Sequence, residues 1–141
     1  MRISTKGRYA IRMLIDLAQH KNDGYIALKD IAQRQNISKK YLEQIVSTLN
    51  RSHLLQTNRG FQGGYRLAVS PERCTVGRVL KLTEGSLSPI PETMDRYSVY
   101  DDPCYFVWQG LNNAINDYLE SITIQDIVDR LTESYANDYV I

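Results

Sequence analysis

ISKKYLEQIVSTLN, residues 37–50, and NRGFQGGYRLA, residues 58–68, decide the fold. In the first stretch Tyr41, Leu42, Ile45, Val46 and Leu49 recur at three- and four-residue spacing, the pattern of a helix with one apolar face. Ser38 stands just ahead of that face. Its hydroxyl can accept from the backbone N–H groups that a first helical turn leaves free, so the helix opens at Lys39. Lys39, Lys40, Glu43, Gln44 and Thr48 are left for the opposite side. In the second stretch a glycine-rich connection separates 54–58 from 65–69, two short runs that read as a β-hairpin. Gly60, Gly63 and Gly64 permit positive φ and let the backbone approach a phosphate or groove wall without a Cβ in the way.

Upstream, Ala10, Met13, Leu14, Leu17 and Ala18 form the stripe of a helix over 7–20, and Leu28, Ile31 and Ala32 mark a brief helix ending near Gln35, where Asn36 breaks it. A short helix, a tight turn and an amphipathic helix make a helix-turn-helix, and the hairpin behind it is a wing. Downstream, 75–82 has the spacing of one further helix, stopped by Gly85. The segment 86–103 is rich in Pro and Asp and carries no period. A helix of about five turns follows over 104–122. Its apolar residues Val107, Trp108, Leu111, Ala114, Ile115 and Leu119 repeat like a dimer seam, although the same stripe also suits a helix packed on its own domain. A short helix over 124–131 and a polar tail complete the chain. The expected fold class is mainly α with a small β-hairpin wing (α+β). A winged helix-turn-helix domain spans 1–84, a loop 85–103, a dimerisation helix and its short successor 104–131, and a tail 132–141.

The net charge of +1 conceals an uneven distribution. Residues 1–73 carry 13 Lys or Arg against 5 Asp or Glu, and residues 74–141 carry 4 against 11, so +8 sits beside −7. A positive module next to an acidic one suits a reader of a polyanion with its own assembly region, though a merely solvated basic surface has the same composition. Lys39, Lys40, Tyr41 and Gln44 occupy the first turns of the third helix, the part that enters the major groove in a helix-turn-helix. Lysines there neutralise phosphates, Gln44 can pair with adenine, Glu43 can accept from a cytosine amine, and Ser38 or Tyr41 can reach phosphate oxygens. Arg59 at the base of the wing suits a narrow minor groove. Thr5, Lys6 and Arg8 begin the first helix, where free N–H groups and positive side chains favour a phosphate. Tyr65 closes the wing. The partner these residues imply is double-stranded DNA.

No apolar run reaches the roughly 18–20 residues of a membrane span, and the N-terminus lacks an apolar signal core, so a cytoplasmic location is expected. Cys74 and Cys104 are too few for a disulfide framework and have no CxxC partner. No Ser-His-Asp set, phosphate-cradling loop or carboxylate pair supports an enzyme, and His20 and His53 are isolated.

MRISTKGRYAIRMLIDLA, ALKDIAQRQNISKKYLEQIVSTLN and NRGFQGGYRLA together resemble the Rrf2 family of bacterial winged-helix regulators, a likeness that runs nearly to the ITIQDI segment at 122–127. The resemblance implies a homodimer on an imperfectly palindromic operator, with Ser38, Lys39, Tyr41, Gln44, Arg59, Gly60, Gly63 and Gly64 at the DNA. Several members hold an iron–sulfur cluster through three cysteines before the long helix. Here only Cys104 remains: the other two positions fall on or near Glu92 and Ser98, a histidine position falls on Val107, and Arg8 stands where some members supply an acid. A cluster normally takes four ligands, mostly Cys, so no cofactor and no metal are expected. The alternative is a cluster- or thiol-based redox sensor of the same fold. The cluster-free branch includes the master repressor of cysteine metabolism, to which GSLSPI and the terminal tail are similar. That likeness implies docking of Tyr139, Val140 and Ile141 into O-acetylserine sulfhydrylase, whose active site accepts peptides ending in isoleucine, although an ordinary frayed terminus would carry the same residues.

Overall fold

In the computed structural model, which describes residues 2–90 and 101–138, the chain runs α1(Thr5–Gln19), α2(Leu28–Gln35), α3(Lys39–Arg51), β1(Leu55–Asn58), β2(Gly64–Leu67), α4(Val76–Glu84), α5(Tyr105–Glu120) and α6(Ile124–Asp138). The bounds of α2 and the start of α3 follow from local chemistry. Asn36 takes the left-handed conformation at φ 53° and closes α2, a conformation asparagine tolerates better than most residues. Ser38 caps α3, its Oγ accepting from the Tyr41 N–H at 3.1 Å.

The core is built where three helical stripes meet. Met13, Leu14 and Leu17 of α1, Ile31 of α2, and Leu42, Ile45 and Leu49 of α3 are all sealed from solvent. Thr48 joins them. The sequence pattern put it on the polar face of α3, but it is buried and its hydroxyl donates back to the Gln44 carbonyl at 3.4 Å.

An ion pair between a buried carboxylate and a partly exposed guanidinium fastens α1 to α2. Asp16 lies in the core with its carboxylate accepting from Arg34 at 2.8 and 3.0 Å and from Gln35 at 3.0 Å.

The wing is an antiparallel pair in the register Leu55↔Leu67 to Asn58↔Gly64. A third segment holds it to the body: Ile26 and Tyr65 exchange two backbone hydrogen bonds of 2.8 Å each. A one-residue bridge has no period, so the sequence carries no signal for it. Gly64 exists for this bridge. A Cβ there would lie 2.3 Å from the Ile26 carbonyl oxygen, and backbone cannot step aside as a side chain can. Of the three wing glycines Gly60 uses positive φ, at 108°, while Gly63 and Gly64 serve close backbone approach.

The C-terminal helices are less separate from the 1–84 unit than the sequence suggested. Ile124 is fully buried in the main core, its N–H donating to the Cys74 carbonyl at 2.8 Å, and the Val76 N–H reaches the Ile122 carbonyl at 2.8 Å. Glu120 accepts from Thr75 at 2.9 Å and Lys81 at 3.1 Å, which pins the end of α5 to the start of α4. Leu119, the last residue of the expected seam, is partly buried with Ile122 against Val76, Leu80 and Leu87 of its own chain. A reciprocal cap starts α6: Asp126 accepts from the Thr123 N–H at 2.9 Å, and Thr123 Oγ1 accepts from the Asp126 N–H at 3.0 Å. The helix then continues to Asp138, beyond the expected stop at Leu131 and through most of the expected tail, since 132–138 contains no breaker.

Candidate nucleic-acid interface

The exposed side of α3 carries Lys39, Lys40, Glu43, Gln44 and Ser47, and all five are open to solvent. Two depressions flank this ridge. One lies between α3 and the wing, lined by Lys39, Glu43 and Asn50 on the helix side and by Arg59, Gly60 and Gly63 on the hairpin side, with Lys29 at its end. The other runs along the outer edge of α3 past Lys40, Gln44 and Arg51 to Lys6 of α1. The fold thus brings together Lys6, Lys39, Lys40, Glu43, Gln44, Arg59 and the wing glycines, which lie far apart in the sequence.

Three predicted residues have further roles in the fold. Tyr41 is half-buried and meets Tyr9 edge to face at 5.7 Å, while Arg12 sits over the Tyr9 ring at 5.4 Å. Tyr65 gives its backbone N–H and carbonyl to the Ile26 bridge and still lines the depression between α3 and the wing. The hydroxyl of Ser38 is engaged as the α3 cap.

Thr5 and Arg8 line a separate depression with Arg2 and Glu84. The sequence reading expected free N–H groups at the start of α1. In the structure Ser4 Oγ accepts from Gly7 at 3.0 Å, and Glu84 accepts from both the N–H and the hydroxyl of Ser4, at 3.1 and 2.5 Å. A carboxylate thus already stands at this helix end. Lys6 turns toward α3, whereas Thr5 and Arg8 do not.

Sequence reasoning missed Lys29, Asn50, Arg51 and Phe61. Lys29 and Arg51 were legible as cations, but only the fold shows that they border the same ridge. Phe61, at the wing tip, is 98% exposed.

Along α5 no residue is buried, and Phe106, Val107, Trp108 and Leu111 are 68%, 44%, 39% and 45% exposed. Asp102 sets the start of this helix, accepting from the Cys104 N–H at 2.8 Å and from the Trp108 indole at 3.3 Å.

With this geometry in place, likeness to known proteins becomes informative. Residues 3–130 match the family model described as "Rrf2: Iron-dependent Transcriptional regulator". The chain belongs to the Rrf2 family. It is 37% identical over 127 residues to the HTH-type transcriptional regulator CymR of Bacillus subtilis, covering 90% of this chain and 89% of that one. It is 35% identical over 130 residues to IscR of Pectobacterium carotovorum, covering 91% and 79%. The structure of CymR, the global cysteine regulator of B. subtilis, superposes with a TM-score of 0.80 at 35% identity over 92% of this chain and 98% of the other. That of T. potens IscR superposes with a TM-score of 0.76 at 37% identity over 95% and 90%. These relatives are transcriptional regulators, so the Rrf2 chain described here is a DNA-binding regulator on a winged helix-turn-helix and not an enzyme. No helix among the described residues is long and apolar enough to cross a membrane.

The family description raises the question of iron. Cys74 is sealed in the core, where burial pushes its thiol pKa up against the pull of Arg78. Cys104 is exposed at the head of α5. Among the described residues no three His, Cys, Asp or Glu side chains stand close enough to share a metal ion. Glu92 and Ser98, which align with ligand positions, lie outside the described residues, as do Tyr139, Val140 and Ile141. Among the described residues Cys104 is the one accessible thiol, whereas a cluster takes four ligands, mostly Cys.

Proposed function

We propose that the chain binds a palindromic operator as a homodimer and represses transcription there, with α3 in the major groove and the wing beyond the adjacent strand. The depression between α3 and the wing carries this reading. Lys29, Lys39 and Arg59 border it, and the glycine backbone of the hairpin forms its far side. One sugar–phosphate strand lying in that depression has cations on both flanks and places α3 and the wing in neighbouring grooves.

Selection of bound sequences from a random duplex pool, followed by titration of the selected duplex, tests the proposal. Lys39→Ala should weaken binding to all sequences alike and lower the slope of log K against log salt by about one per subunit. Gln44→Ala should change the preferred base at one position per half-site, with a discrimination loss of about 1–3 kcal/mol. Unchanged affinity and selectivity in both variants would remove α3 from the interface.

We further propose that the protein works without an iron–sulfur cluster, the support being the single accessible thiol. Anaerobically purified protein should show no visible absorbance bands, and broad visible bands would restore the cluster-based alternative. Control of cysteine metabolism, and with it an O-acetylserine sulfhydrylase partner for residues 139–141, is carried by likeness to CymR rather than by geometry. The genes beside the selected operators in a genome-wide footprint decide that part.

A further inference from the structure

Four residues at the wing tip form a preset turn. The Gly63 N–H donates to the Gly60 carbonyl at 2.9 Å, so Phe61 and Gln62 are the two central residues of a hydrogen-bonded four-residue turn. Gly60 has φ 108°, and Gln62 is held at φ 64°, a conformation that turns of this kind usually give to glycine. The adjoining register pair Asn58↔Gly64 and the Ile26–Tyr65 bridge fix the base of the hairpin. At the apex Phe61 is 98% exposed, the most exposed of the large apolar side chains among the described residues. An aromatic ring is thus presented to solvent on a hydrogen-bonded turn, two residues from Arg59.

We propose that Phe61 is a wedge that enters the minor groove and partly unstacks one base step in each half-site. The inference rests on the DNA-binding arrangement proposed above and deepens it. If a sugar–phosphate strand lies between α3 and the wing, and α3 reads the major groove, the tip of the wing faces the minor groove across that strand. Apolar side chains inserted there separate base steps and kink the duplex toward the major groove. The turn is already formed in the free protein, so its ordering is not charged against binding. Arg59 is placed to hold the neighbouring groove wall, where the negative potential is high. The wedge also adds selectivity without a base-edge hydrogen bond, because pyrimidine–purine steps unstack more easily than others.

The test uses the full-length protein and the duplex it selects, with 2-aminopurine replacing each adenine near the wing in turn. The wild-type complex should show a fluorescence increase at one step per half-site and a bend in a circular-permutation gel assay. Phe61→Ala should lose both signals and bind about tenfold more weakly, with an unchanged thermal midpoint because the ring touches almost nothing. Phe61→Leu, which keeps an apolar wedge, should retain a reduced bend. Equal fluorescence and bending in Phe61→Ala, or no fluorescence change in the wild-type complex, overturns the wedge and leaves DNA binding standing. Failure of the wild-type protein to retain any duplex overturns both.

Discussion

Leu111→Asp is expected to leave each chain folded yet convert the protein to a monomer, with operator affinity reduced by two orders of magnitude or more. The fold survives because Leu111 is 45% exposed and belongs to neither buried cluster. What it does belong to is an apolar strip of Val107, Trp108 and Leu111 on a helix with no buried residue. Contiguous exposed apolar surface of this kind marks an interaction site. Facing a second copy across a two-fold axis, the strip would meet its own image, so one substitution would introduce two carboxylates into the same apolar seam. Two recognition helices on one rigid dimer turn the second half-site contact into an intramolecular event, and a monomer forfeits that gain of about 10²–10⁴. Sedimentation and anisotropy titration of the same preparation report both quantities. A variant that sediments as a dimer and binds as the wild type does would rule out α5 as the seam.

The sequence made the helix-turn-helix legible because its determinants are local. The Ser38 cap, the Asn36 stop and the Lys39–Gln44 face each depend on residues within a turn of one another. What stayed hidden depends on partners distant in sequence. Periodicity identifies an apolar stripe on α5 but not what each residue faces, and only the fold shows that Leu119 packs against the cluster of Val76, Leu80 and Leu87. Gly64 was recognised as special, but the reason is a carbonyl at Ile26, thirty-eight residues earlier. The pair of buried Asp16 and partly exposed Arg34 left no trace either, since both residues read as ordinary polar positions on amphipathic helices. In the site, the charges of Lys6, Lys29 and Arg51 were visible, but their convergence around α3 is a property of the folded chain.

That pair supports the second large effect. Asp16→Ala should lower the unfolding free energy by about 2–4 kcal/mol, measured as a drop in urea midpoint at unchanged m-value near neutral pH. Asp16 is 1% exposed and accepts three hydrogen bonds, from Arg34 Nε and a terminal nitrogen and from Gln35 Nε2. Its removal leaves a cavity in α1 and strips α2 of its anchor. The cost stays below that of a fully buried orphan charge because the Arg34 side chain is 37% exposed and can turn to water. Burial by itself would raise the Asp16 pKa. The hydrogen bonds from Arg34 and Gln35, with the Arg34 and His20 charges, outweigh it and hold the carboxyl below its ordinary value. A carboxyl whose folded-state pKa is depressed contributes stability above its unfolded value, near 3.9, and loses it as pH falls through the folded value. The wild-type protein should therefore lose stability relative to Asp16→Ala below about pH 4, and the two unfolding curves should converge in strong acid. Because α2 and the cap of α3 are carried on this anchor, the variant should also bind DNA more weakly at temperatures where it is still folded. An unchanged urea midpoint near neutral pH would mean that core packing alone, without the ion pair, sets the angle between α1 and the helix-turn-helix.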